Sequence, residues 1–326
     1  MNKKIVVLAV VAAFGIPTAA SAQTTLFGQF KYEVGYIDGG AVQSDGTVDG
    51  DNNLVHGTFG TRLGVRGAED LGGGLQGIYR FQGNFSGANR SLATQNFRLN
   101  EEAWVGLQGG FGRLLVGRSD TAVKLAAMPF RNFTDTLADF NNIPGGWQRA
   151  EGLHYTSPNF AGATIGITIE PTGDTEDVYA AANVIYRQGS LFVSAAVEDS
   201  PGSATFAVGD IGVDETNWQV GVSWDFGQGD IGIQYQARND GDDDVVIIPV
   251  NYKVLPNLNL RGAVKYVDPD VGSDFTNFAI GAQYMFSGRT ELYANLWGDD
   301  EIGQTPAGAN VSDASTHFGI GLRHSF

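Results

Sequence analysis

Apolar and polar side chains alternate along most of this chain. In LFGQFKYEVGY, Leu26, Phe30, Tyr32, Val34 and Tyr36 share one parity, while Gln29, Lys31 and Glu33 share the other. Successive side chains of a strand point to opposite faces, so the segment predicts a strand with one apolar and one polar side. The pattern returns in ATIGITIE (163 to 170), NWQVGVSWDF (217 to 226), NLNLRGAVKYV (257 to 267), NFAIGAQYMF (277 to 286) and HFGIGLRHSF (317 to 326). Short turns such as QGS (188 to 190), GQG (227 to 229), LPN (255 to 257) and SGR (287 to 289) take turns with longer acidic, Gly-rich connections at 38 to 57, 199 to 215, 239 to 244 and 298 to 315. About sixteen strand candidates result, each close to ten residues long.

A soluble sheet sandwich also alternates, with its polar face in bulk water. Here the apolar faces end in aromatics at strand boundaries, at Tyr36, Tyr186, Trp224, Phe226, Tyr252, Phe286 and Phe326. Aromatic girdles, short turns at one rim and long loops at the other describe an all-β, transmembrane antiparallel β-barrel. Closure removes free sheet edges and satisfies every backbone group in lipid, and a wide barrel keeps its polar interior wet.

The N-terminus fits export. Lys3 and Lys4 precede an apolar run from Ile5 to Ile16, followed by Pro17 and the small residues Ala20, Ser21 and Ala22. That is the anatomy of a cleaved signal peptide over residues 1 to 22, and the run falls short of the roughly 20 apolar residues of a spanning helix. Of the 20 Lys and Arg, two lie in the leader, so 18 basic residues face 36 acidic ones in the mature chain, a formal charge of −18. Such a balance repels nucleic-acid phosphates. With 0 cysteines there is neither a disulfide framework nor thiolate chemistry. The 46 glycines and a mean hydropathy of −0.10 suit a turn-rich strand protein.

Six segments, in order, resemble the trimeric Gram-negative general porins: TLFG (Thr25 to Gly28), TRLGVRGAEDLGGGLQGIYRF (Thr61 to Phe81), AWVGL (Ala103 to Leu107), FGRLLVGR (Phe111 to Arg118), HYTSPNFAG (His154 to Gly162) and the terminal GLRHSF. The resemblance spans essentially the whole mature chain, residues 23 to 326. It implies a sixteen-stranded barrel assembled as a homotrimer in outer-membrane lipid and lipopolysaccharide. The third loop, here about 119 to 150, would fold inward to narrow the pore. It also implies that Phe326 acts as the signal read by the outer-membrane insertion machinery. Within the third loop FTDTLADF resembles the constriction segment, with Asp135 and Asp139 at its acidic positions. Opposite them the resemblance places a basic wall at Arg62, Arg66, Arg118 and Arg149. The spacing from Arg149 to Tyr155 is one residue shorter than the family's, which leaves Gln148 as the alternative occupant. Arg80 and Lys31 share the polar parity of their strands and extend that wall. The family commonly carries Arg two positions before the alanine of AWVGL, and this chain has Glu101 there.

Other chemistries fit the residues less well than a passive pore. If PFRNFTDTLADFNN (129 to 142) is helical, Asp135 and Asp139 project from one face. As an acid/base pair they would need partners that push their pKa values apart, and the loop offers Arg131, Phe133 and Phe140 but no histidine. The four histidines, His56, His154, His317 and His324, lack metal-ligand spacing. Asp240, Asp242 and Asp244 imitate the start of a calcium loop, yet Val245 and Asn251 stand where its glycine and glutamate belong. Loose Ca²⁺ binding by acidic loops is all that remains, and no cofactor is implied. Gly72, Gly74 and Gly77 satisfy G-x-G-x-x-G but precede an alternating strand, so they read as a hairpin turn. No G-x-S-x-G elbow is present, and nothing points to an enzyme.

The function expected is a water-filled channel for passive diffusion of ions and small hydrophilic solutes, weakly cation-selective on account of Asp135, Asp139 and Glu101. Its rivals are a substrate-specific channel, which would line the lumen with aromatics and paired charges, and an adhesin or receptor acting through exposed loops.

Overall fold

The computed structural model describes residues 23–37, 41–42, 48–49, 54–85, 97–140, 148–171, 178–200, 215–270, 273–299, 303–304, 310–311 and 315–326. The leader expected at 1 to 22 and most of the long connections expected at 38 to 57, 199 to 215 and 298 to 315 lie outside these residues.

One antiparallel sheet closes on itself. Its staves are β1 (Gln23–Tyr36), β2 in two segments (Leu54–Gly57 and Arg62–Gly72), β3 (Leu75–Phe85), β4 (Phe97–Gly109), β5 (Gly112–Asp120), β6 (Arg149–Thr156), β7 (Ala163–Pro171) and β8 (Val178–Gln188). They continue as β9 (Leu191–Ser200), β10 (Glu215–Asp225), β11 (Gly229–Arg238), β12 (Asp243–Leu255), β13 (Leu258–Asp268), β14 (Phe275–Met285), β15 (Thr290–Asp299) and β16 (Ser315–Ser325). Each pairs with its sequence neighbours, and β1 joins β16 to β2, which makes sixteen staves without a free edge. At the seam Gly28 and Phe326 exchange backbone hydrogen bonds of 3.1 and 3.0 Å, and the Phe326 ring would lie 2.7 Å from any Cβ at Gly28.

Burial is inverted relative to a soluble sheet. On β1 the apolar Leu26 and Phe30 are 62% and 54% exposed, whereas Lys31 and Glu33 are 3% and 0% exposed. On β10 and β11 Val220, Val222, Ile231 and Ile233 face outward while Gln219, Gln234 and Gln236 are buried. An outward apolar surface that water would not tolerate is the face a barrel gives to lipid. Aromatics band both ends of that face: Phe226 stacks on Tyr252 at 6.4 Å and Phe286 meets Tyr284 edge-on at 5.1 Å near the short turns, and Trp218 lies 5.2 Å from Tyr235 near the long ones. The run Gly72, Gly73, Gly74 is the β2–β3 hairpin turn, with φ of +85°, +62° and +79° that only glycine adopts without strain.

What fills the barrel is the connection between β5 and β6. Its described part carries a short helix, α1 (Ala122–Ala127), then a 3-10 turn at Met128–Phe130 and tight turns as far as Phe140.

Candidate pore constriction

AVKLAA is made largely of good helix formers, and the Thr121 hydroxyl caps α1 by accepting the Lys124 N–H at 3.2 Å. Inward polar side chains of four neighbouring strands bind the helix backbone. Thr168 accepts the Ala122 N–H at 3.0 Å, while Asn183, Gln219 and Ser194 donate to the carbonyls of Ala122, Val123 and Ala126 at 2.6, 2.7 and 3.0 Å. Ala122, Val123, Ala126 and Ala127 pack on Ala150, Tyr179, Ala181 and Ala196, a small apolar core inside a polar tube. Lys124 is buried beside Asp120, its Nζ 2.6 Å from Oδ1. Burial pushes the Lys124 ammonium below its usual pKa, and the Asp120 carboxylate opposes that shift.

Beyond the helix the loop runs along the wall towards β1. Phe130, fully buried, lies over Gly221 and Gly232, whose absent Cβ atoms would fall 2.3 and 3.1 Å from its ring, and packs edge-on against Phe192 at 6.0 Å. Asn132 donates to the carbonyls of Val250 and Gly262 at 3.1 and 2.8 Å, and Arg261 donates to the Asn132 carbonyl at 2.9 Å with its guanidinium 4.6 Å from the centre of the Phe133 ring. The Glu33 carboxylate of β1 accepts the Leu137 N–H and the Tyr293 hydroxyl, both at 3.1 Å.

The segment holding the two aspartates is not helical. Asp135 adopts φ +61°, a left-handed conformation, and residues 132 to 138 form successive turns. The side chains still meet across four residues, because the Asp139 carboxylate accepts the Asp135 N–H at 2.9 Å. Each aspartate also holds an arginine. Arg62 donates to both carboxylate oxygens of Asp135 at 2.6 Å, and Arg131 lies 3.0 Å from Asp139. The Arg62 Nε is 3.3 Å from Glu101, which also accepts from Arg149 and, at 3.0 Å, from Asn84. The Arg149 Nε lies 3.3 Å from Asp120. Four cations, Arg62, Lys124, Arg131 and Arg149, thus interleave with four anions, Glu101, Asp120, Asp135 and Asp139.

Strand parity alone would aim Glu101 outward with Ala103 and Val105. Between Gln82 and Asn84 the β3–β4 register slips, β4 advancing from Glu102 to Arg98 while β3 advances by two residues. A bulge of this kind re-aims a side chain, and it turns Glu101 into the lumen, where it is 5% exposed.

Residues 7 to 300 match the profile of the family described as Gram-negative porin. The chain belongs to that family. Over the full length of both proteins this porin is 28% identical to outer membrane porin protein 32 of Delftia acidovorans and 27% identical to the major outer membrane protein P.IB of Neisseria meningitidis serogroup B. Among solved structures, the anion-selective porin from Comamonas acidovorans superposes with a TM-score of 0.70 at 24% identity, covering 94% of this chain and 100% of that one. OmpF of Salmonella typhi gives 0.70 at 14% identity, covering 93% and 97%. These likenesses carry the fold, and the curated relatives place the porin in the outer membrane of Gram-negative cells, crossing it with its strands. Family and fold point to a channel rather than an enzyme.

The other residues of the porin singled out in its sequence fall in several places. Arg149, rather than Gln148, reaches Glu101 and Asp120. Arg66 and Arg80 share the lumen face but lie nearer the short turns, both over the Phe27 ring at 5.1 and 4.9 Å, with Arg80 3.3 Å from Glu102. Lys31, buried, sits 4.8 Å over the Tyr293 ring. Arg118 does not join the wall. It pairs with Ala103 on the parity of the exposed Leu114 and Val116, donates from Nε to the Asn100 carbonyl at 2.8 Å and lies 3.6 Å from Glu151. Asp240 accepts the Thr216 N–H of β10 at 2.8 Å, and Asp244 accepts from the Tyr235 hydroxyl of β11. The sequence reading missed Asp120, Lys124 and Glu33 as parts of the site. The first two are set four apart across the start of α1, a spacing that could have shown the pair.

Proposed function

We propose that this porin forms a water-filled channel for passive diffusion of ions and small hydrophilic solutes, with the Glu101, Asp135 and Arg62 cluster as its constriction. One observation carries the reading: the β5–β6 loop is fastened inside the barrel from β7 round to β1, and its acidic tip meets Arg62 on the wall of β2. The cation preference expected from Asp135, Asp139 and Glu101 finds little support in this geometry, because each of the three already has an arginine within hydrogen-bonding distance. Opposite charges so paired nearly cancel for a passing ion, and the proposed selectivity is weak. Conductance in a planar bilayer should rise in proportion to KCl concentration, with a small zero-current potential across a salt gradient. A large potential of either sign would overturn the balanced constriction.

The same reading includes residues 1 to 22 as a leader removed on export and a homotrimer embedded in lipid and lipopolysaccharide. OmpT of Vibrio cholerae, similar in fold at a TM-score of 0.67, is described in a trimer form. Phe326 is proposed as the signal read by the insertion machinery, and it also closes the seam through Gly28. Deleting Phe326 is therefore expected to cut outer-membrane yield at least severalfold, measured by membrane fractionation. Normal yield would remove Phe326 from assembly.

A further inference from the structure

On the short-turn side of the constriction the lumen holds a different kind of site. A cavity of about 450 Å³ is lined by Thr25, Arg66, Arg80, Trp104, Gln108 and Arg113, and Arg80, Trp104 and Arg113 also border a second space of about 170 Å³ under α1. Arg66 lies four residues from Arg62 along β2, about 13 Å at the rise of a strand. Arg66 and Arg80 oppose one another in the β2–β3 register, and Arg113 of β5 is paired with Gln108 of β4.

The charges here do not balance as they do at the constriction. Glu102 lies 3.3 Å from Arg80 and accepts the Trp104 indole N–H at 2.8 Å. Neither Arg66 nor Arg113 has a carboxylate within ion-pair distance among the described residues. Three guanidiniums thus share one carboxylate. Phe27 lies beneath two of them, and Trp104 supplies a second ring at the cavity wall.

We propose that this vestibule binds small organic anions that join a carboxylate to a flat apolar body. Guanidinium forks recognise carboxylates through paired charge-assisted hydrogen bonds, and the neighbouring rings offer faces to an apolar group. The volume is that of an ordinary small-ligand pocket. The proposal rests on the channel reading and adds to it a solute class, with binding that saturates where free diffusion would not.

The test measures single-channel KCl current in a planar bilayer while benzoate, or inorganic phosphate, is titrated in. Benzoate is expected to reduce the current saturably, at a lower half-blocking concentration than phosphate. Arg66→Gln together with Arg113→Gln should raise the benzoate value about tenfold or more, each channel being normalised to its own current without benzoate, since charge-assisted contacts are lost. Absence of saturation, equal potency of phosphate, or an unchanged half-blocking concentration in the double variant would overturn the vestibule while leaving the channel intact. Failure of the unsubstituted protein to conduct KCl would overturn the channel reading itself, and the vestibule with it.

Discussion

Replacing Glu101 by Gln is expected to turn the constriction towards anions. Glu101 is the one carboxylate on which Arg62 and Arg149 converge, and the β4 bulge holds it in the lumen. Gln preserves its shape and can still accept from Arg149, so the barrel should fold and insert. What disappears is one negative charge facing two positive ones. A unit charge about 4 Å away acts with about 1 kcal/mol in water, lost by the cation and relieved for the anion, so the cation-to-anion permeability ratio should fall at least about fivefold. Zero-current potentials across a KCl gradient measure it directly. Asp135→Asn should move the ratio in the same direction by less, because Arg62 retains Glu101 at 3.3 Å. An unchanged ratio in correctly inserted Glu101→Gln would place Glu101 outside the conduction path.

Gly221→Val is expected to unseat the inner loop. The Phe130 ring occupies the space a side chain at Gly221 would need, with carbons at 2.3 and 2.5 Å from an ideal Cβ, while the barrel around Gly221 is tied by ladder hydrogen bonds on both sides. The strain should therefore appear in the loop and not in the wall. Overpacking of about 1–3 kcal/mol corresponds to about a 5- to 150-fold shift towards the unseated loop. Single-channel records should show larger or noisier conductance steps. Gly232→Ala, whose Cβ would lie 3.1 Å from the same ring, should have a much smaller effect. Equal records for Gly221→Val and the unsubstituted channel would mean that Phe130 does not fasten the loop.

Much of the barrel was legible because strand parity is local. Two neighbouring residues on a strand face opposite ways whatever the rest of the chain does, so Lys31 and Glu33 could be assigned inward and Leu26 and Phe30 outward from LFGQFKYEVGY alone. The Gly72 to Gly74 turn was legible for a similar local reason, whereas the inward course of the loop that carries Asp135 and Asp139 was implied only by the family resemblance.

Parity failed where the ladder changes step or ends. Glu101 shares the parity of Ala103 and yet faces the lumen, because the slip between Gln82 and Asn84 occurs across two strands and leaves no mark within AWVGL. Arg118 carries the same lesson in reverse, facing outward although its residue type and family position suggested the wall. The inner helix was sought around Asp135 and lies instead at Ala122–Ala127, where the inward Thr168, Asn183, Ser194 and Gln219 of four separate strands hold its backbone.

The sequence pattern by itself thus determined a transmembrane barrel of about sixteen staves behind an export-type N-terminus, and the family resemblance added an acidic inner loop facing a basic wall. Only the tertiary structure decided that these charges pair off in contact and that the uncompensated arginines gather nearer the short turns. The physical reason is range. Alternation is set between adjacent residues, whereas the Arg62–Asp135 contact joins groups 73 residues apart and depends on every register and loop anchor between them.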